Sequence, residues 1–396
     1  MIYFVAKNIG LYGGAAVVAM DVIDSLMESN IEFEVICMEY NIPKERGRRL
    51  SSIKRLKMAY IPEKGDYSAN DVGNIRYLLK RTQGMVENIA LTLHLYRNPP
   101  ELMIFNGYRP STMAVIDRYS GKCKTVHIVH VSPNYVENFE DFISLDELIN
   151  VYKKADSLVF VSDECRKAWL GYDVTDEGNA FYIPNCAKED EAKSYLQYSK
   201  EGTRKKLGLN PDSFYLVNVA SVKERKGQDL IVEAASEFKK FAPNLEILIV
   251  GTGGGKYIED MKKRISKEKL DFIHFLGHKS NAMEYVYASD LFVLPSRAEA
   301  FPLVLLEAMI LKTPMIGSNV DGVPEMIKEG KTGLLFECDN TAELIQAFEN
   351  MYRSKKDREL YAEQASELYW NEFSKEQFTK RYSNLAQRML NGYQVR

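Results

Sequence analysis

The stretch DLFVLPSRAEAFPLVLLEAMILK, residues 290–312, joins an apolar run ending at Pro295 to a second apolar run beginning at Phe301. Between them lies a short loop holding Ser296, Arg297 and Glu299. The first run reads as a strand. The second reads as a helix starting near Phe301, because Pro302 suits a first helical turn where its missing N–H would be unpaired anyway. This strand, loop and helix leave two carboxylates in unusual places. Glu299 stands near the C-terminal end of the strand, and Glu307 follows inside a helix with almost no other polar side chain. A carboxylate in such surroundings needs a cation, good hydrogen-bond donors or a ligand, since uncompensated burial of a charge is costly. The hydroxyls of a sugar or a ribose would serve. Amides of Ala300, Phe301, Leu303 and Val304 at the helix start would favour a phosphate alongside.

Working outward, the same alternation of short apolar runs and amphipathic stretches recurs in two series, the signature of repeated strand–helix units and a mostly parallel sheet. The first series has strands expected at residues 2–6, 32–38, 102–106, 124–130 and 157–162. The second has them at 215–220, 246–251, 273–276, 291–295, 315–317 and 333–336. A polar stretch from Lys188 to Arg204, without a strong apolar period, reads as the linker between them. At 396 residues the chain suits two domains of ordinary size. The division expected is an α/β protein with one Rossmann-like domain over 1–187, completed by a C-terminal helix at 373–396, and a second over 188–372.

A net charge of −3 gives no overall basic field that would argue for nucleic acid as a partner. Five cysteines, an odd number and widely spread, carry no metal-ligand or CxxC spacing, which suits a reducing compartment. The first residues lack the pattern of a signal peptide, and no apolar run reaches the length of a membrane span, so a cytoplasmic protein is expected.

Parallel sheets bind ligands at the C-terminal ends of their strands, so the chemistry is expected there. After the opening strand comes a turn containing Gly13 and Gly14, where glycine lets the backbone approach a ligand and helix-start amides favour an anion. His127 and His130 fall near the end of the strand at 124–130 on opposite faces, with His130 nearer the end and better placed to meet a substrate hydroxyl. Residues 220–230, ASVKERKGQDL, place Ser221, Arg225 and Lys226 before another helix. Cations there oppose the helix dipole unless an anion sits between them and the amides, and a diphosphate fits. His278 follows a further strand. Residues 320–325, VDGVPE, form a last turn and helix start.

These residues together resemble the retaining glycosyltransferases of family 4, which have the GT-B architecture. The resemblance covers most of the chain and is most specific from Pro295 to Gly333, including Glu299 and Glu307 in an E-x7-E motif. It implies two Rossmann-like parallel-sheet domains facing a central cleft, with the C-terminal helix crossing back to the N-terminal domain. By resemblance, Glu307 would bind the ribose of a nucleotide sugar and Glu299 a hydroxyl of the donor sugar. Arg225 and Lys226 would hold the diphosphate, amides from Phe301 to Val304 would meet sugar and phosphate, and His130 would stand at the reaction centre. Gly14, Ser221, His278, Ala300 and Pro302 complete the expected donor site. The chain departs from the family pattern at Ser221, where many members carry arginine, at Cys186 and at Asp321, both usually glycine.

The implied reaction is transfer of a hexose or N-acetylhexosamine from a nucleotide sugar, with UDP as the nucleotide on family frequency alone, to a glycan or lipid-linked acceptor. No D-x-D follows an apolar strand, so no metal and no other cofactor is expected. Alternatives on the same architecture are a sugar-nucleotide epimerase and a non-catalytic nucleotide-sugar-binding subunit. A basic stretch at 44–58, with Lys44, Arg46, Arg48, Arg49, Lys54, Arg55 and Lys57 interleaved by Ile53, Leu56 and Met58, suggests contact with an anionic membrane surface. The expectation is thus a cytoplasmic protein peripheral to the inner face of the cell membrane.

Overall fold

Strands that are apolar along their whole length need cover on both faces, and the computed structural model supplies it for two parallel sheets. It describes residues 1–10, 14–41, 55–57, 89–107, 118–139 and 143–391. The chain divides into two units, one of residues 1–161, 166–184 and 378–396, the other of residues 162–165 and 185–377.

In the first unit, β1 (Ile2–Gly10), β2 (Phe33–Asn41), β3 (Arg55–Lys57), β4 (Leu102–Asn106), β5 (Lys124–Val129), β6 (Ser157–Phe160) and β7 (Ala180–Tyr182) form one sheet in the order 3-2-1-4-5-6-7. All its pairings are parallel. The chain runs outward from β1 on one side and then resumes at β4 on the other, so the topological switch point lies between β1 and β4. Helix α1 (Gly14–Glu28) follows β1 and buries Val18, Val22 and Leu26. Trp169 is fully buried against Tyr152, edge to face at 4.9 Å, and donates its indole N–H to the Val131 carbonyl at 2.8 Å.

The second unit contains β8 (Phe214–Val219), β9 (Leu245–Val250), β10 (Ile273–Gly277), β11 (Leu291–Leu294), β12 (Met315–Ser318) and β13 (Leu334–Phe336), again all parallel, in the order 10-9-8-11-12-13. Its switch point lies between β8 and β11. Every residue of β11 and β12 is buried. Helix α2 (Gln228–Phe241) packs Phe238 onto Phe348, with ring centroids 4.2 Å apart, and α3 (Leu303–Ile310) follows β11. This helix begins two residues later than the sequence suggested. Pro302 keeps an extended ψ of 117° and caps the helix instead of entering it.

Residues 188–204, read as a linker, instead supply helical segments at Glu189–Tyr195 and Lys200–Lys206 of the second unit. Their polarity conceals a buried anchor. Arg204 donates to the carbonyls of Ala288, Pro211 and Ser213 and to the Asp290 carboxylate at 2.6 Å, and Asp290 also accepts the Tyr215 amide at 2.8 Å. A charge satisfied this fully can lie inside, and hydropathy does not reveal it.

The last helix, α4 (Lys375–Asn391), belongs from Phe378 onward to the first unit. It buries Phe378, Tyr382, Leu385, Ala386 and Met389, one helical stripe. Thr379 Oγ1 lies 3.0 Å from Ser25 Oγ, and the Arg388 guanidinium sits over the Phe181 ring at 4.8 Å. Among the described residues no helix is long and apolar enough to cross a membrane.

Candidate functional site

At the switch point of the second unit, the loop after β8 and the loop after β11 are held against each other. Gly227 adopts φ 67°, and a Cβ there would lie 1.8 Å from the Pro295 carbonyl oxygen, so only glycine permits this approach. The Arg297 amide donates to the Arg225 carbonyl at 2.7 Å, and the Arg225 guanidinium donates to the Ala298 carbonyl at 2.6 Å. Arg297 reaches back with a two-pronged bond to Asp229 at 3.1 and 2.8 Å and a further bond to Asp339 at 2.7 Å. Beneath the first loop, the buried Gln228 amide donates to Asn218 at 3.2 Å and to the Ser221 carbonyl at 3.1 Å.

Glu299 is the centre of this arrangement. It is 8% exposed, and one carboxylate oxygen accepts from Lys226 Nζ and from Ser296 Oγ, the latter at 3.0 Å. Its other oxygen faces Arg225 at 3.5 Å. Burial pushes this carboxyl up, but Lys226 and then Arg225 more than offset it, so it lies below the ordinary carboxylate range and is ionised. Glu299 does not cap the following helix, since the cap of α3 is Pro302.

Glu307 differs. It is half-buried on α3, and among the described residues its carboxylate has no hydrogen bond or ion pair. Burial pushes it up to about 7, with Lys188 lowering it only in part. Phe301 and Pro302 are buried, while Ala300, Leu303 and Val304 are half-buried at the same helix start. The Ser221 side chain is exposed, and it is the Ser221 carbonyl that the fold uses. His278 is exposed just beyond β10.

In the first unit His127 lies within β5 and His130 just beyond its end. His127 is fully buried, donating Nε2–H to the Gly107 carbonyl at 2.7 Å. His130, one residue past β5, is half-buried. Asn106 at the end of β4 fixes its tautomer. The Asn106 amide nitrogen donates to the Ala15 carbonyl at 3.0 Å, which leaves its oxygen to accept from His130 Nε2–H at 2.7 Å. Burial lowers the His130 pKa to about 3, with His127 adding to the effect, so the ring is neutral and its Nδ1 is an acceptor. Gly14 opens α1, where a Cβ would meet nothing within 4 Å, so space alone does not require glycine there. The rest of that turn, residues 11–13, lies outside the described residues, as does the basic stretch at 44–58 apart from the backbone of β3.

Asn106, Ser296, Asp229 and Arg297 went unassigned in the sequence reading. Only Ser296 and Arg297 carried a signal, their place between a buried strand and Glu299. Among the described residues no group of three or more His, Cys, Asp or Glu is gathered where it could hold a metal ion.

Two doubly wound units, one gathering two cations and a carboxylate where its strand order reverses, define the ligand-binding layout of open α/β proteins. Residues 199–368 match the model of the glycosyl transferases group 1 family. The chain carries a group 1 glycosyltransferase domain and has the GT-B fold. It is 30% identical over 200 residues to N-acetyl-alpha-D-glucosaminyl L-malate synthase of Bacillus anthracis, covering 49% of this chain and 51% of that protein. It is 28% identical over 304 residues to alpha-D-kanosaminyltransferase of Streptomyces kanamyceticus, covering 75% and 77%. The match to the first of these relatives therefore spans about half of its length. A crystal structure of HepE from Anabaena in complex with UDP superimposes with a TM-score of 0.76 at 16% identity, covering 98% of this chain and 99% of that one, a likeness of fold.

Proposed function

We propose that this chain is a retaining glycosyltransferase that moves a hexose or N-acetylhexosamine from a nucleotide sugar, with UDP the expected nucleotide, to a glycan or lipid-linked acceptor. One observation carries this reading. The Glu299 carboxylate, held between Lys226, Arg225 and Ser296, stands just before a helix that also bears Glu307, whose carboxylate has no hydrogen bond or ion pair among the described residues. Cations and helix amides suit a diphosphate, and carboxylates on either side suit the hydroxyls of the sugar and of the ribose. The same nucleotide, UDP, is bound by HepE of Anabaena.

The reaction follows by front-face substitution. The acceptor oxygen bonds to the anomeric carbon on the face from which the diphosphate departs, and the acceptor proton passes to the leaving diphosphate oxygen. Arg225 and Lys226 stabilise the charge growing there, which is the electrostatic role a metal would otherwise fill. Neutral His130 offers Nδ1 to a hydroxyl of the substrate.

The test is incubation with a panel of UDP-, GDP- and ADP-sugars, measuring nucleotide release with Glu307→Ala as the control. Release dependent on Glu307 is expected, and the anomeric signal of the product reads retention directly. Release unaffected by the substitution would refute the site, interconversion of the donor without release would point to an epimerase, and binding without turnover would point to a non-catalytic subunit.

A further inference from the structure

Asp321 occupies a position where a side chain is penalised. Its φ is 41°, in the left-handed region that favours glycine and that aspartate tolerates better than most residues. The next residue leaves no room either, since a Cβ on Gly322 would lie 1.9 Å from the Ala300 carbonyl oxygen. A turn packed this closely would be satisfied by two glycines. What the aspartate adds is an acceptor. Asp321 Oδ2 takes the Glu299 amide N–H at 2.8 Å, while the Gly322 amide donates to the Glu299 carbonyl at 3.1 Å. Glu299 is therefore gripped by its backbone from the turn after β12 and by its carboxylate from Lys226 and Ser296.

We propose that Asp321 is a positioning residue that fixes Glu299 for the donor sugar. The inference rests on the reading of Glu299 as the sugar's hydroxyl grip. A carboxylate that must meet a hydroxyl within hydrogen-bond distance is sensitive to small shifts of its own backbone, and a charged acceptor on that amide resists such shifts. The diphosphate meets Arg225, Lys226 and helix amides, which touch Asp321 only through Glu299, whereas the sugar meets Glu299 itself. Asp321 thus acts first on the sugar-dependent part of binding and more weakly on the nucleotide-dependent part.

Calorimetry on the full chain separates the two parts. Dissociation constants are measured for UDP, GDP and ADP, and for the sugar donor of whichever nucleotide binds, with wild type, Asp321→Gly and Asp321→Asn. Glycine relieves the backbone angle but removes the acceptor from the Glu299 amide, so the two effects oppose and the thermal midpoint of Asp321→Gly is expected to stay close to that of wild type. Its affinity for the bare diphosphate is expected to stay within about twofold, while the ratio of donor to diphosphate affinity shifts about tenfold against the donor. Asn, which tolerates the same angle and retains an oxygen acceptor, restores most of that ratio. An unchanged ratio in Asp321→Gly would overturn the proposal. So would equal losses for both ligands with a lower midpoint, which would mark a structural role. Should wild type bind none of the diphosphates, the donor-site reading itself fails, a result distinct from both.

Discussion

A carboxyl pushed up to about 7 with no hydrogen-bond partner among the described residues makes Glu307 a pH-sensitive group in the range where activity would be measured. In the unfolded chain the carboxyl ionises near its ordinary value of 4.5, whereas in the folded chain it holds its proton to about 7. Its contribution to stability therefore falls as pH rises between those values and is level above them. Ribose hydroxyls donating to the carboxylate favour the ionised form, so nucleotide affinity should rise as pH increases through 7 and flatten beyond. Phosphate titration adds its own slope, which the comparison with Glu307→Gln removes. The expected result is a steeper rise of affinity with pH in wild type than in Glu307→Gln, measured by calorimetry between pH 6 and 8, a window set on either side of about 7. Parallel slopes would show that Glu307 does not change charge on binding.

At the scale of elements, β11 and α3 were legible because their chemistry is local. Four apolar residues, a short polar loop and Pro302 announce a buried strand turning into a helix, and the structure moved only the first turn. The carboxylate Glu299 stood out for the same reason, as a charge in apolar surroundings. What could not be read was reach across the sheet. Arg297 looks like an ordinary loop cation until Asp229 and Asp339 are found around it, residues distant in sequence. Arg204 reads as part of a linker because its partner Asp290 is 86 residues away in sequence. Asn106 gives no signal until β4 and α1 bring His130 and Ala15 beside it.

The contact of the two loops rests on Gly227, and it yields a test with an internal control. In Gly227→Ala the new Cβ meets the Pro295 carbonyl oxygen at 1.8 Å in a left-handed backbone, so the loops must part. A destabilisation of about 2–4 kcal/mol is expected from the combined strain and displacement, with loss of nucleotide binding. Gly254→Ala, where a Cβ meets nothing within 4 Å, should change stability by less than about 1 kcal/mol in either direction. Chemical denaturation measures both. Equal stability of the two variants would refute the account of the loop contact.

On the scale of the whole molecule, the chain returns to its first unit after completing the second, and this gives a prediction that sequence proximity would get wrong. Phe378 and Tyr382 follow directly on the second unit but are buried in α4 where it packs on the first, with their rings 4.7 Å apart. The two tryptophans of the chain report the units separately. Trp169 is fully buried in the first, and Trp370, 36% exposed with Lys193 4.4 Å above its ring, lies in the second. Replacing Tyr382 by alanine removes a large buried ring, at a cost of about 3–5 kcal/mol where the surroundings cannot collapse. That cost should fall on the first unit. With Trp370→Phe as background, so that fluorescence comes from Trp169 alone, Tyr382→Ala should lower the denaturation midpoint clearly. With Trp169→Phe as background, the Trp370 signal should shift by much less. The opposite pattern would place the last helix with the second unit, and would remove the physical reason for the chain to cross back.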